Sequence, residues 1–173
     1  RPYGIGAYHF MPDAGLYLIL SGDEELAEKL EPLIKLLGMA GIGGKRSSGF
    51  GKYIFEDDPL DLSDENTYGG DDVALYKMLC AGHSNCYMAL SSFLPEKLEV
   101  GDMSSGTGKI IKRGGFAWSR EMAGPAKVSS VYMMASGSCF SKRLEGRIAD
   151  VNNGSAPHPV YKYGKGLFVG LPL

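Results

Sequence analysis

The chain has 173 residues, 44% apolar, 22% charged and 10% aromatic, which suits one domain or two small ones with a sizeable core and excludes a disordered or fibrous protein. Its longest apolar runs, 16–20 and 131–135, fall far short of the ~20 residues a bilayer span needs. No signal peptide is read at its start, and three cysteines (Cys80, Cys86, Cys139) are too few for a disulfide framework, so a soluble, cytoplasmic protein is expected. The formal net charge of −2 conceals a split: residues 1–102 hold 8 basic and 17 acidic side chains, and 103–173 hold 10 basic and 3 acidic. Such a dipole points to one surface that faces an anion and another that is solvated or meets a basic partner.

The chain begins at Arg1 without a methionine, followed by Pro2-Tyr3-Gly4, and reads as a fragment or processed product. Residues 5–10 and 16–20 are predicted to be two strands of a hairpin, joined by Met11-Pro12-Asp13-Ala14-Gly15. A helix follows Ser21-Gly22-Asp23, with Glu24, Glu25 and Glu28 near its positive end and Leu26, Leu30, Leu33, Ile34 and Leu37 at helical spacing. Pro32 predicts a kink or two abutting segments, and Gly38 a stop. A glycine-rich loop comes next, then a predicted strand over Lys52-Tyr53-Ile54-Phe55.

From Glu56 to Asp72 there are eight acidic residues and no basic one, which reads as a solvated linker. Beyond it, a helix is predicted over 73–79 and strands over 87–94, 108–119, 128–135, 146–151 and 165–170, with a turn at Asn153-Gly154. The fold class is therefore α+β. The order hairpin, helix, loop, strand matches the second half of a βαββαβ ferredoxin-like unit over 1–56. An acidic linker over 57–72 and a second α+β unit over 73–173 complete the expected organisation.

The loop Gly41-Ile42-Gly43-Gly44-Lys45-Arg46-Ser47-Ser48-Gly49-Phe50-Gly51 combines five glycines, two cations and two hydroxyls with no acidic side chain. Missing Cβ atoms let a ligand approach the main-chain amides, so the pattern is an anion cradle. It is not a Walker loop, because Met39 stands where the first glycine belongs and Arg46 where a magnesium-binding Ser or Thr belongs. Nor is it G-x-G-x-x-G, since Arg46 replaces the third glycine and the loop leads from a helix to a strand. A sugar-phosphate backbone, followed by shape and charge, is the ligand that remains, against the plainer possibility of a glycine-rich surface turn. Phe50 is expected to anchor the loop in the core.

The segment GIGGKRSSGFG after an amphipathic helix resembles the glycine-rich signature of the RAMP superfamily of CRISPR proteins. In chain order, YHF with GLYLIL, GIGGKRSSGFGKY, YMALSSFLPE, GSCF at 137–140 and HPVYKYGKGL resemble the fourth-subunit family of type III-A (Csm) effector complexes. The resemblance implies two ferredoxin-like (RRM-like) domains and a non-catalytic subunit of antiviral defence that binds the 5′ handle of crRNA. It also implies contacts with the backbone RAMP subunit of the filament and the large polymerase-like subunit, no cofactor, and an amino-terminal part of the same protein upstream of residue 1.

Other residues carry weaker signals. Lys112 and Arg113, with Lys109, Arg120, Phe116 and Trp118, mix charge and aromatic rings as a secondary RNA surface does, or else form a charge-protected edge strand. His158, Tyr161 and Tyr163 are secondary RNA candidates, the two tyrosines sharing one face if extended. Cys80-x-x-His83-x-x-Cys86, with Cys139, has metal-ligand types but no second knuckle, so no metal is assigned. His9 as acid/base of a repeat-processing endoribonuclease and a protein-only scaffold subunit are the competing functions.

Overall fold

The computed structural model describes residues 4, 6–12, 14–56, 60–64 and 70–172. The chain divides into two compact units, 1–59 and 60–173, each taken by itself below. Together they make a mixed α+β protein with small antiparallel sheets. Among the described residues, no helix is long and apolar enough to cross a membrane.

Unit 1 is organised by helix α1, Glu24–Ala40. Asp23 caps it by accepting the Leu26 amide at 2.9 Å, Glu24 and Glu25 sit in its positively polarised first turn, and Lys29–Glu25 and Lys35–Glu31 pair one turn apart. Pro32 lies inside one continuous helix rather than between two segments. Gly38 does not end it; the helix runs to Ala40, and the Gly41 amide closes it on the Leu37 carbonyl at 2.7 Å. Gly38 is instead where the chain returns, because a Cβ there would lie 2.6 Å from the Tyr53 carbonyl oxygen.

The sequence predicted strands that the structure lacks. Among the described residues of 5–10 and 16–20 no strand forms; residues 5 and 13 lie outside the description. The turn is present, with the Ala14 amide on the Met11 carbonyl at 3.0 Å, but no ladder extends from it. Tyr8, Leu16 and Tyr17 are exposed, so alternating apolar residues find no surface to cover, and a two-stranded hairpin without one is marginal in water. Residues 52–55 form no strand either. Tyr53 is docked on α1 instead, its amide on Gly38 O at 3.2 Å and its hydroxyl donating to Ile34 O at 2.8 Å.

Unit 2 begins with α2, Gly70–Cys80, three residues earlier than predicted, so that Asp71 and Asp72 fill its first turn rather than precede it. A three-stranded antiparallel sheet places β1, Tyr87–Ala89, between β4, Cys139–Phe140, and β7, Phe168–Gly170. β2, Ile110–Ala117, pairs with β3, Ala126–Met134, and β5, Ala149–Asp150, pairs with β6, Tyr161–Lys162. The predicted strand 87–94 ends as a ladder at Ala89; Phe93 makes a single bridge to Met134.

The core of unit 2 is Tyr87, Ala89, Phe93, Met134, Phe140, Leu144 and Phe168. Three of these rings meet edge to face, Phe93 standing 5.8 Å from Phe140 and 5.1 Å from Phe168. A smaller cluster, Leu94, Met133 and Ala149, with Ile111 and Val131 against it, underlies the β2–β3 hairpin. Adjacent Met133 and Met134 thus face opposite ways, as strand alternation demands. Loops are tied by single side chains: Glu99 accepts from the amides of Glu96 at 2.8 Å and Glu145 at 2.7 Å. Truncating the fully enclosed Phe93 to alanine is expected to destabilise unit 2 by about 3–5 kcal/mol, while Phe116→Ala, 72% exposed, stays within about 0.5 kcal/mol of wild type. Chemical denaturation of the two variants compares them; equal losses would contradict this core.

Candidate nucleic-acid interface

The glycine loop is one closed, exposed element at the end of α1. Gly41, Gly43, Gly49 and Gly51 have φ of 82°, 79°, 85° and 75°, and Lys45 adopts the left-handed region at φ 56°. Such a run of positive φ is accessible because four of the five positions lack a Cβ. Its mouth is held by the Ile42 amide on the Gly51 carbonyl at 2.9 Å. At that crossing a Cβ on Gly51 would stand 1.8 Å from the Ile42 carbonyl oxygen, which no side chain tolerates.

Inside the loop, Arg46–Ser48 forms a single 3-10 turn, with the Ser48 amide on Lys45 O and the Gly49 amide on Arg46 O, both at 2.9 Å. These two amides are consumed internally, whereas those of Gly43 and Gly44 bond to no described residue. Lys45, Arg46, Ser47 and Ser48 are exposed, as is Ile42. Phe50 differs from expectation: at 41% exposure it is not a core anchor, and Tyr53 performs that role.

In unit 2 the β2–β3 hairpin carries Lys112 opposite Tyr132, the ammonium 5.9 Å from the ring centroid, and Arg113 opposite Val131. A bulge between Arg113 and Gly115 shifts the register. A groove of about 140 Å³ runs from this hairpin to β5–β6 and is lined by Arg113, Phe116, Tyr161 and Lys162. It brings Arg113 and Tyr161 together. Lys112 and Tyr163 do not line it; Tyr163 is exposed.

His158 is engaged within the chain. Its Nδ1 lies 2.9 Å from the Pro159 carbonyl, to which it donates, and its Nε2 lies 2.8 Å from Ser119 Oγ, a hydroxyl that can serve as either partner. Nearby, Asp150 accepts the amides of Asn152 and Val160, which hold its carboxyl below the usual carboxylate range. Sequence reasoning missed Lys162 as a lining residue of the groove and Tyr132 as the neighbour of Lys112. Their places are set by strand register, Tyr132 opposite Lys112 and Lys162 opposite Ala149, which local pattern does not carry.

Among the described residues, no three His, Cys, Asp or Glu side chains converge on a point that could hold a metal ion. Cys80 is exposed at the end of α2, and the Cys139 thiol is raised by burial and by its neighbour Cys86. His9 is exposed in the segment 6–12.

Residues 82–171 match the family model described as the CRISPR Csm4 C-terminal domain. Over 174 aligned residues, the chain is 35% identical to CRISPR system Cms protein Csm4 of Streptococcus thermophilus and 34% identical to that of Mycobacterium tuberculosis (strain CDC 1551 / Oshkosh). In both cases 99% of this chain and 52% of the relative are covered, so the chain spans about half the length of the curated relatives it matches. A Csm3-Csm4 subcomplex of the type III-A CRISPR-Cas interference complex shares 24% identity at a TM-score of 0.46, over 88% of this chain and 42% of the other. The class defined by the family model and the relatives is that of CRISPR system proteins. The chain belongs to the Csm4 family, whose C-terminal domain it carries.

The loop's closure has a direct test. Gly51→Ala places a Cβ into the Ile42 carbonyl and is expected to abolish hydrogen-exchange protection of the Ile42 amide. Gly44→Ala, with open space around it, is expected to leave that protection intact. Protection lost equally in both variants would contradict the geometry.

Proposed function

We propose that this chain is part of a non-catalytic RNA-binding subunit of a type III-A Csm effector complex, and that its glycine loop holds the 5′ handle of crRNA by the phosphodiester backbone. The observation that carries the reading is the exposed loop, where the amides of Gly43 and Gly44, the hydroxyls of Ser47 and Ser48 and the side chains of Lys45 and Arg46 share one segment without a carboxylate. Membership of the Csm4 family supports it. Amide and hydroxyl donors satisfy phosphate oxygens without reading bases, and cations add salt-dependent affinity.

Under this reading the Arg113–Tyr161–Lys162 groove, with Lys112 and Tyr163 beside it, is a secondary RNA surface, and His158 positions the 158–163 segment rather than the nucleotide. The domains are ferredoxin-like, the compartment is the cytoplasm, and the protein partners are a backbone RAMP subunit and the large polymerase-like subunit. An amino-terminal part of the same protein covers the exposed apolar residues of α1, among them Leu33, Leu36 and Met39.

In the full-length protein, Lys45→Ala with Arg46→Ala is expected to lower the slope of log K against log salt on single-stranded RNA by about 1.4, at ~0.7 per phosphate. An unchanged slope by fluorescence anisotropy removes the loop from the interface. Repeat RNA incubated without metal is expected to remain intact; cleavage that His9→Ala abolishes would establish the endoribonuclease instead.

A further inference from the structure

Unit 2 holds a second basic feature that neither the glycine loop nor the hairpin groove includes. An open basin of about 990 Å³ lies where the end of α2 meets the segment after β4. Lys77, His83, Lys142 and Arg143 line it with Asn85 and Ser141, and among the described residues no Asp or Glu side chain lies on its wall. We propose that this basin is a phosphate-binding surface for single-stranded RNA, an inference that rests on the RNA-binding reading above and adds a site to it.

The walls show why it takes a polyanion. Arg143 is held in place by its own structural bonds: Nη2 donates to the carbonyls of Leu79 at 2.8 Å and Ala81 at 3.2 Å, and the guanidinium lies 5.5 Å from the Tyr87 ring centroid. A guanidinium has five N–H donors, so the bonds made by Nη2 leave Nε and Nη1 for a ligand. The head group is therefore preorganised beside the end of α2, where it also offsets the negative pole of the helix.

Lys142 donates to Asp102 at 2.8 Å, but both side chains are well exposed, 64% and 41%, and an ion pair of that kind contributes little. A phosphate can replace Asp102 at small cost. His83 and Lys77, also in the lining, are exposed.

The RNA-binding reading above favours a nucleic acid over the other common polyanion partner, an acidic protein segment. Protein interfaces are anchored by apolar or aromatic side chains in dry pockets. Here the aromatic ring is Tyr87, 5% exposed, with its hydroxyl donating to the Gly82 carbonyl. Ala74, Met78, Leu171 and Pro172 share the lining with the cations, and the one aromatic ring among the lining residues is enclosed, so the basin would meet phosphate without stacking bases.

The experiment measures binding of a labelled single-stranded RNA to the full-length protein across a salt series. Lys77→Ala with Lys142→Ala is expected to lower the slope by about 1.4, at ~0.7 per phosphate, with an unchanged melting temperature. Asp102→Asn, which releases Lys142 from its competitor, is expected to tighten binding about twofold to threefold, a gain that a purely structural role of Lys142 does not produce. A wild-type slope in the double variant, while Lys45→Ala with Arg46→Ala lowers it, overturns the basin and leaves the loop standing; wild-type slopes in both overturn both. Weaker capture of a polyglutamate peptide with an unchanged RNA slope assigns the basin to acidic protein and also overturns the proposal.

Discussion

The hydrogen bond from the Ile42 amide to the Gly51 carbonyl is the constraint on which the candidate site depends. It closes residues 42–51 into a ring with a fixed mouth, which holds the donors in between within one short segment. The bond requires the two strands of the loop to cross within a distance that only hydrogen, in place of a Cβ, permits at Gly51. The other end of the constraint is the helix: the Gly41 amide on Leu37 both ends α1 and aims the chain into the loop. Local chirality and one cap therefore set the site, and a packed core beneath it does not. Among the described residues of unit 1, Gly38 and Gly41 are buried, and large side chains such as Leu36, Met39 and Ile54 are exposed.

Unit 2 obeys a different logic. Its strands are two to nine residues long and cannot stand on their ladders alone, so the Phe93–Phe140–Phe168 cluster supplies the cohesion and irregular segments are fastened to it by polar side chains. Glu99, Asp150, His158 and Arg143 all fasten loops in this way. A charged residue engaged like this is fixed in orientation, which is what a ligand-binding group needs. Arg143 keeps donors to spare, whereas both nitrogens of His158 are committed. The geometry ranks the two residues in a way their residue types do not.

Much of this was legible in the sequence, and the limits have physical causes. The cap at Asp23, the helix after it and the glycine loop depend on neighbours in the chain, and local pattern located them. The strands of β2 and β3 were found within two residues at each end, because Gly, Ser and Pro clusters bound them in the sequence. The segments 6–12, 14–20 and 52–55 are also rich in apolar residues, yet a strand exists only where a second backbone extends a ladder beside it; Tyr53 makes one such bond, to Gly38, and no ladder forms among the described residues. β4 and β6, two residues each, are defined by their partners and carry no period of their own.

The charge split along the sequence pointed to a basic surface in the second part of the chain but not to its place. Arg113 and Lys162 are 49 positions apart and share a groove; Lys77 and Lys142 are 65 apart and share a basin. Lys77 belongs to the acid-rich part of the sequence, so the fold places a cation from the acidic part beside those of the basic part. Charge counted along a chain measures what is available to a field; only the folded positions decide where that field is focused. A basin whose described wall has no Asp or Glu side chain, in a unit that contains many, is such a focus. Asp102, bonded to Lys142 of that wall, is exposed, and an exposed ion pair of this kind is weak enough for another anion to compete.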